Sequence, residues 1–214
     1  VCRQTARSYP MILIDDQPYG QSCPSDKTVR ELAQEACAET PGQARRMVVA
    51  VYCDGKAMDG ADLNAVLDAP AASFGQLELQ TQPVAALVRT TLEQAIALVE
   101  SAGTVRSSAA DLLERGDHVG AMGQLQKLLE IWRQVQQSLV FSGEALGIDL
   151  DSLEVEGTRF ADLLTIMKAN LADLREAMRN QDPVLISDLL RYDLEDVFNK
   201  WGSLLDGLKS VVQS

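Results

Sequence analysis

The chain has 214 residues, 46% of them apolar and 23% charged, and a formal net charge of −12. That is enough apolar material for one large core or two small ones, while so acidic a surface excludes phosphate backbones and anionic membranes as expected partners. No apolar run approaches the roughly 20 residues that span a bilayer, and "VCRQTARSYP" lacks the apolar centre of a signal peptide, so the expected location is cytoplasmic. In chain order, residues 1–10 read as a flexible arm. "MILID" reads as a strand, "DDQP" as a turn and "YGQSC" as a short returning strand. "PSDKTVRELAQEAC" reads as a helix with Ser25 or Asp26 as its cap, and it places Val29, Leu32, Ala33 and Ala36 on one face. After the break at "ETPGQ", Met47, Val49, Val51 and Cys53 alternate with Val48, Ala50 and Tyr52, which predicts a strand covered in part on both faces. "DG" at 54–55 predicts a hairpin turn, "DGADLNAVLDA" a short helix and "FGQLELQT" a closing strand.

The grammar changes near Pro83, which is placed in the first turn of the next helix. Four helical segments follow, at about 84–115, 118–141, 158–180 and 183–212, with one long acidic connection at 142–157. Gly116 and Asp117 end the first segment and cap the second, and Asp182 with Pro183 restarts the chain after "NQDP". Each segment carries an apolar stripe at steps of three and four. Leu128, Trp132 and Val135 belong to the second stripe, Leu194 and Trp201 to the fourth. Helices with one apolar face are not stable alone, and short connections favour antiparallel packing. The expected fold class is therefore α+β: domain 11–82, then an antiparallel four-helix bundle over 83–214.

Two resemblances follow from these patterns. The order strand–strand–helix–strand–short helix–strand over residues 11–82 resembles the β-grasp, or ubiquitin-like, architecture, which implies a protein-binding module. The half lacks a Gly-Gly tail, so conjugation chemistry is not implied. Residues 84–210 resemble the flagellar export chaperones of the FliS type. The resemblance rests on "ALVESAGTVRSSAADLLERGDHVGAMGQLQKLLEIWRQVQQSL", "LLTIMKANLADLREAMRNQDPVLISDLL" and "VFNKWGSLLDGL", with a "GD" between helices and a Trp in the last one. That family's tyrosine-rich N-terminal segment is absent here. The resemblance implies a bundle that holds an amphipathic partner segment.

The search for chemistry returns little. His118, the single histidine, falls in the first turn of a helix, where a capping-turn role outweighs that of a base lacking a positioned partner. Cys2, Cys23, Cys37 and Cys53 form no C-x-x-C pair, so free thiols are expected rather than zinc ligands or disulfides. Glu144, Asp149, Asp151, Glu154 and Glu156 lack the ligand order of a calcium loop, and Glu195 and Asp196 lack the histidines of a di-iron site. "RR" at 45–46 reads as a solvated strand end. No phosphate loop, dinucleotide fingerprint or nucleophile elbow is present. The expectation is a non-enzymatic interaction protein without cofactor or metal, chaperone- or adaptor-like. Leu128, Trp132, Val135, Leu194 and Trp201 are its candidate partner-binding residues. The alternatives are a self-assembling scaffold subunit, a homo-oligomer, and a small-molecule binder at the junction of the halves.

Overall fold

A computed structural model describes residues 11–19, 27–38, 44–155 and 157–213. The expected N-terminal arm, Cys2, Cys23, the caps Ser25 and Asp26, the "ETPGQ" break and Glu156 lie outside the described residues. The chain divides into two compact units, Val1–Ala86 and Leu87–Ser214.

The first unit is a five-stranded mixed sheet with helix packed on it. Its strands are β1 (Met11–Ile14), β2 (Gln17–Pro18), β3 (Arg46–Cys53), β4 (Lys56–Ala57) and β5 (Gln76–Pro83), in the spatial order β2-β1-β5-β3-β4. β5 is the centre, parallel to β1 and antiparallel to β3. Its alternate residues Leu77, Leu79 and Thr81 are buried, as period-2 side-chain alternation requires. The leucines join Ile12, Val51 and Cys53 in one core with Val29 and Leu32 of helix α1 (Val29–Ala36). Helix α2 (Gly60–Leu67) adds half-buried Leu63, Val66 and Leu67.

Several local expectations change. The strand that returns from the turn is Gln17–Pro18; of the expected "YGQSC" strand, residues 20–23 lie outside the described residues. Asp15 and Asp16 both take positive φ (51° and 63°), so they alone form the two-residue turn. Thr28, not Ser25 or Asp26, caps α1. It accepts from the Glu31 amide while the Glu31 carboxylate accepts from the Thr28 amide, the reciprocal box spelled by Thr-x-x-Glu. Strand β3 does not alternate strictly. Val48 pairs with Thr81 and Ala50 with Gln80, so a bulge at Val49 intervenes. Val48 is thereby brought to the core with Val51 and Cys53, while Val49 is exposed. Pro83 ends β5 rather than opening a helix.

Arg46 is not a solvated strand end. Its Nε donates to Thr81 Oγ1 at 2.7 Å, and one terminal nitrogen donates to Asp15 at 2.8 Å and to the Thr81 carbonyl at 2.9 Å. Asp15 in turn accepts from the Thr81 amide at 2.6 Å and the Thr81 hydroxyl at 2.7 Å. The buried threonine at the end of the central strand thus has every polar group paired. Burial favours the neutral acid at Asp15, but the Thr81 amide, the Thr81 hydroxyl and the Arg46 guanidinium together hold its carboxyl below the usual range.

The second unit is helical: α3 (Val84–Glu114, entered from the first unit), α4 (His118–Leu146), α5 (Phe160–Arg179), and a last segment in three stretches. These are α6 (Pro183–Asp188), a π-helical stretch at Leu189–Asp193, and α7 (Leu194–Gln213). The expectation of one uninterrupted fourth helix is therefore corrected. Asp117 caps α4 by accepting from the Gly120 amide, and Asp182 caps α6 by accepting from the Leu185 amide. α4 also runs past the expected stop at 141, to Leu146, and ends at Gly147 with φ 69°. "SG" does not break it, because the Ser142 hydroxyl bonds back to the Ser138 carbonyl and Gly143 is buried under Leu150. The long connection holds a 3-10 turn at Leu150–Ser152 and a two-stranded ribbon, β6 (Glu154–Val155) with β7 (Thr158–Arg159). Among the described residues, no helix is long and apolar enough to cross a membrane.

Two predictions follow. The Asp15 carboxylate contributes stability that is full above its unfolded pKa of about 3.9 and is lost as pH falls through the lower folded value. Asp15→Asn is expected to flatten that acid limb and to cost about 1–3 kcal/mol at neutral pH, read by circular dichroism in urea. At Gly143 a Cβ would stand 2.7 Å from Leu150 Cγ. Gly143→Ala is expected to cost about 1–3 kcal/mol, part of which Leu150→Ala in the same chain restores. Both tryptophans, Trp132 and Trp201, lie in this unit, so their fluorescence reports its unfolding.

Candidate functional site

The five residues that sequence reasoning offered to a partner are all inside. Leu128, Trp132, Val135, Leu194 and Trp201 are buried, Val135 and Trp201 completely. Trp132 and Trp201 meet edge to face with centroids 4.5 Å apart, and Phe160 and Phe198 close the cluster at 5.5 Å from Trp201 and 6.2 Å from Trp132. Such contacts add about 0.5–1.5 kcal/mol each beyond area burial. Leu128, Trp132 and Leu194 also line an apolar cavity of about 10 Å³, at the lower limit for one water molecule. Trp201 Nε1 is buried without a hydrogen-bond partner among the described residues. This stripe is packed inside the unit.

Open grooves lie elsewhere on the unit, two of them between helical segments. The first is at the end where the α3–α4 and α5–α6 turns come together. It measures about 490 Å³ and is lined by Leu113, His118, Met122, Met178, Pro183 and Ile186, with Gln181 beside them. Met178 lies in the α5 stripe yet is 41% exposed, and the adjoining Val119, Val184 and Leu185 are exposed as well. His118, exposed at the first position of α4, meets no carboxylate, hydroxyl or thiol in this lining. Methionines suit such a surface because an unbranched thioether adapts to different shapes.

The second groove, about 450 Å³, is the seam between α3 and α7. Both ends of this seam carry an ion pair: Arg106 with Glu195 at 3.1 Å, and Lys209 with Glu93 at 3.2 Å. The pairing order shows that the two helices run antiparallel. Arg106 is the unusual member, since its side chain is only 8% exposed. Its Nη1 donates to the carbonyls of Leu190 and Arg191, the latter at 2.8 Å. These carbonyls belong to the π stretch, where the wider turn loosens the regular ladder. The tie is reciprocal: Arg191 of the π stretch donates to Asp111 at 2.7 Å and to Glu114 at 2.8 Å on α3.

A model of a domain of unknown function, DUF8042, matches residues 90–204, more than half of the chain. The chain belongs to the DUF8042 family. The match takes in the first groove completely and nearly all of the α3/α7 seam. No curated protein and no solved structure matches the chain.

Sequence reasoning passed over Arg106, though a signal was present. Val99, Ala102, Ala109, Ala110 and Leu113 are buried on α3, and position 106 falls on the same face, four residues after 102 and three before 109. A charged residue at an apolar step requires partners in the fold. The cysteines are unremarkable by comparison: Cys53 is a buried core thiol and Cys37 a half-buried one, and burial pushes both thiols up. Among the described residues no three His, Cys, Asp or Glu side chains assemble as a metal site.

Arg106→Met keeps the stem and removes the donors. It is expected to cost about 2–4 kcal/mol in urea followed by tryptophan fluorescence, because the Leu190 carbonyl, buried, and the Arg191 carbonyl, partly buried, lose a charged partner. Glu195→Gln is expected to cost less than about 1 kcal/mol, since Glu195 is half exposed.

Proposed function

We propose that this DUF8042 protein is a non-enzymatic interaction module, chaperone- or adaptor-like, that takes an amphipathic segment of a protein partner on its helical unit. The observation that carries the reading is the methionine-lined groove at the turn end of the unit. It is apolar and open, Val119, Val184 and Leu185 beside its lining residues in the chain are exposed, and its lining offers no nucleophile or carboxylate to the one histidine. Exposed apolar residues grouped around a concavity are the usual mark of a recognition surface.

The coarser architecture supports the same reading. A mixed sheet in the order β2-β1-β5-β3-β4, with β1 parallel to β5, agrees with a β-grasp assignment for the first unit. Long helical segments joined by capped turns agree with an antiparallel bundle of the FliS type for the second. On this reading the buried stripe, including Trp132 and Trp201, holds together the helices that carry the groove, and the exposed methionine supplies adaptability.

The test uses the full chain and a partner captured by crosslinking in the source cell, then purified. Met178→Glu and Leu185→Glu are expected to leave stability within about 0.5 kcal/mol, because both side chains are exposed. They are expected to weaken partner binding by at least about tenfold, near 1.4 kcal/mol. Binding that is indifferent to both changes, or a chain that light scattering shows only joining copies of itself, overturns the reading in favour of another surface or of a scaffold subunit.

A further inference from the structure

We infer that the turn-end groove continues along α4 and α5 as a docking strip for a partner helix with an apolar stripe and acidic residues on one flank. The occupant's chemistry rests on the reading of the chain as an interaction module. Met122 and Met178 line the groove at the turn end. Further along the same two helices, Leu129 and Trp132 of α4 and Met167 and Leu171 of α5 line the small apolar cavity together. The two helices therefore face each other antiparallel along one seam. From Met122 to Trp132 it runs about 15 Å, close to three helical turns. Its floor is closed by buried Leu125 and Leu174. Its crest stays apolar and open: Leu129 is 46% and Met178 41% exposed, and Met122 and Leu171 are half-buried. An occupant lies along this crest, as an amphipathic helix does on a shallow apolar groove.

The charge pattern supplies the flank. Arg133, Arg159 and Arg179 each pair with a carboxylate three residues away, Glu130, Asp162 and Glu176. Lys168 and Arg175 do not. Three and four residues from Lys168 stand Leu164, Thr165, Leu171 and Ala172, and from Arg175 Leu171, Ala172, Met178 and Arg179. Their own helix thus has no carboxylate at the pairing distance. Both side chains are exposed, and neither forms an ion pair among the described residues. At about 100° per residue they stand about 60° and 40° round α5 from Leu171, on one side of it. Buried Met167 and Leu174 stand on the other side. The two uncommitted cations therefore edge the strip along α5. The α4 edge adds no free charge, because Arg133 is held by Glu130 and Gln137. A helix with carboxylates on the α5 side alone complements both edges at once.

The experiment is fluorescence anisotropy of labelled peptides of roughly 14 residues, about four helical turns, with the full chain. The salt is about 0.15 M, where a Debye length of about 8 Å screens the net charge of −12 and leaves the local pairs to decide. One peptide has a Leu stripe with Glu on one flank, one has the same stripe with Lys there, and one keeps the Glu but replaces Leu by Ser. The Leu/Glu peptide is expected to bind saturably and at least tenfold more tightly than the other two. Lys168→Glu with Arg175→Glu, both at exposed positions, is expected to invert the preference between the Glu and Lys peptides without moving the unfolding midpoint in urea. Lys127→Glu, about 160° round α4 from Leu129, is the control and is expected to leave the preference as it was. No binding of the Leu/Glu peptide overturns the proposal. Equal binding of the Leu/Lys or Ser/Glu peptide overturns its charged or its apolar half. A preference that survives the double charge reversal overturns the strip as the site. A captured partner whose binding falls in Met178→Glu but not in the charge reversal overturns the acidic occupant and leaves the interaction-module reading in place.

Discussion

Arg106 is a permanent positive charge on a side chain only 8% exposed, and the tie between α3 and the last helical segment is built around it. A buried guanidinium must find acceptors or the fold loses several kcal/mol. A regular helix offers few, because its carbonyls already accept from amides four residues on. The π stretch at Leu189–Asp193 supplies them, turning the carbonyls of Leu190 and Arg191 to the arginine. The irregularity of the last helix and the charge on the first are therefore one feature. Arg191, bonded back to Asp111 and Glu114, closes it from the other side. The Arg106–Glu195 and Lys209–Glu93 pairs then tie α3 to α7 at two points.

The sheet unit solves the same kind of problem on a smaller scale. Thr81 stands at the end of the central strand on the core face, where Leu77 and Leu79 precede it. A hydroxyl there would be a defect if unpaired. The β1–β2 turn instead bends two aspartates through positive φ, which brings the Asp15 carboxylate onto the Thr81 amide and hydroxyl. Arg46 joins from the neighbouring strand. A turn, a strand end and a strand start are thus fixed to one another by a single carboxylate, which is why Asp15 adopts a conformation that other residues avoid.

Much of this architecture was legible in the sequence, and the misses have physical causes. Periodicity located the strands, the long helices and their caps at Asp117 and Asp182, because burying one face forces a regular spacing. It missed the bulge at Val49, since "MVVAVYC" is apolar throughout and no polar step marks where the alternation slips. It placed the α1 cap too early by weighing Ser25 and Asp26 above the Thr28–Glu31 box that the chain uses. The π stretch left no trace, because it is defined by a partner 84 residues away in sequence rather than by its own residues. The stop expected near 141 failed because Gly143 is required by the approach of Leu150, a tertiary demand that resembles a helix breaker in one dimension.

The same reasoning accounts for the stripe leucines and tryptophans. A residue that satisfies the helical period and is apolar already has a sufficient reason to be present: the core needs it. Trp132 and Trp201 are accounted for completely by each other and by Phe160 and Phe198. Information about something outside the fold lies in residues that the fold does not need in that form. Met178 keeps the period but stays exposed. Local choices that run against stability without a local return mark where another molecule supplies the return. In this chain Met178 stands at the turn-end groove, on the unit where the family match falls, and the proposed function is built on it.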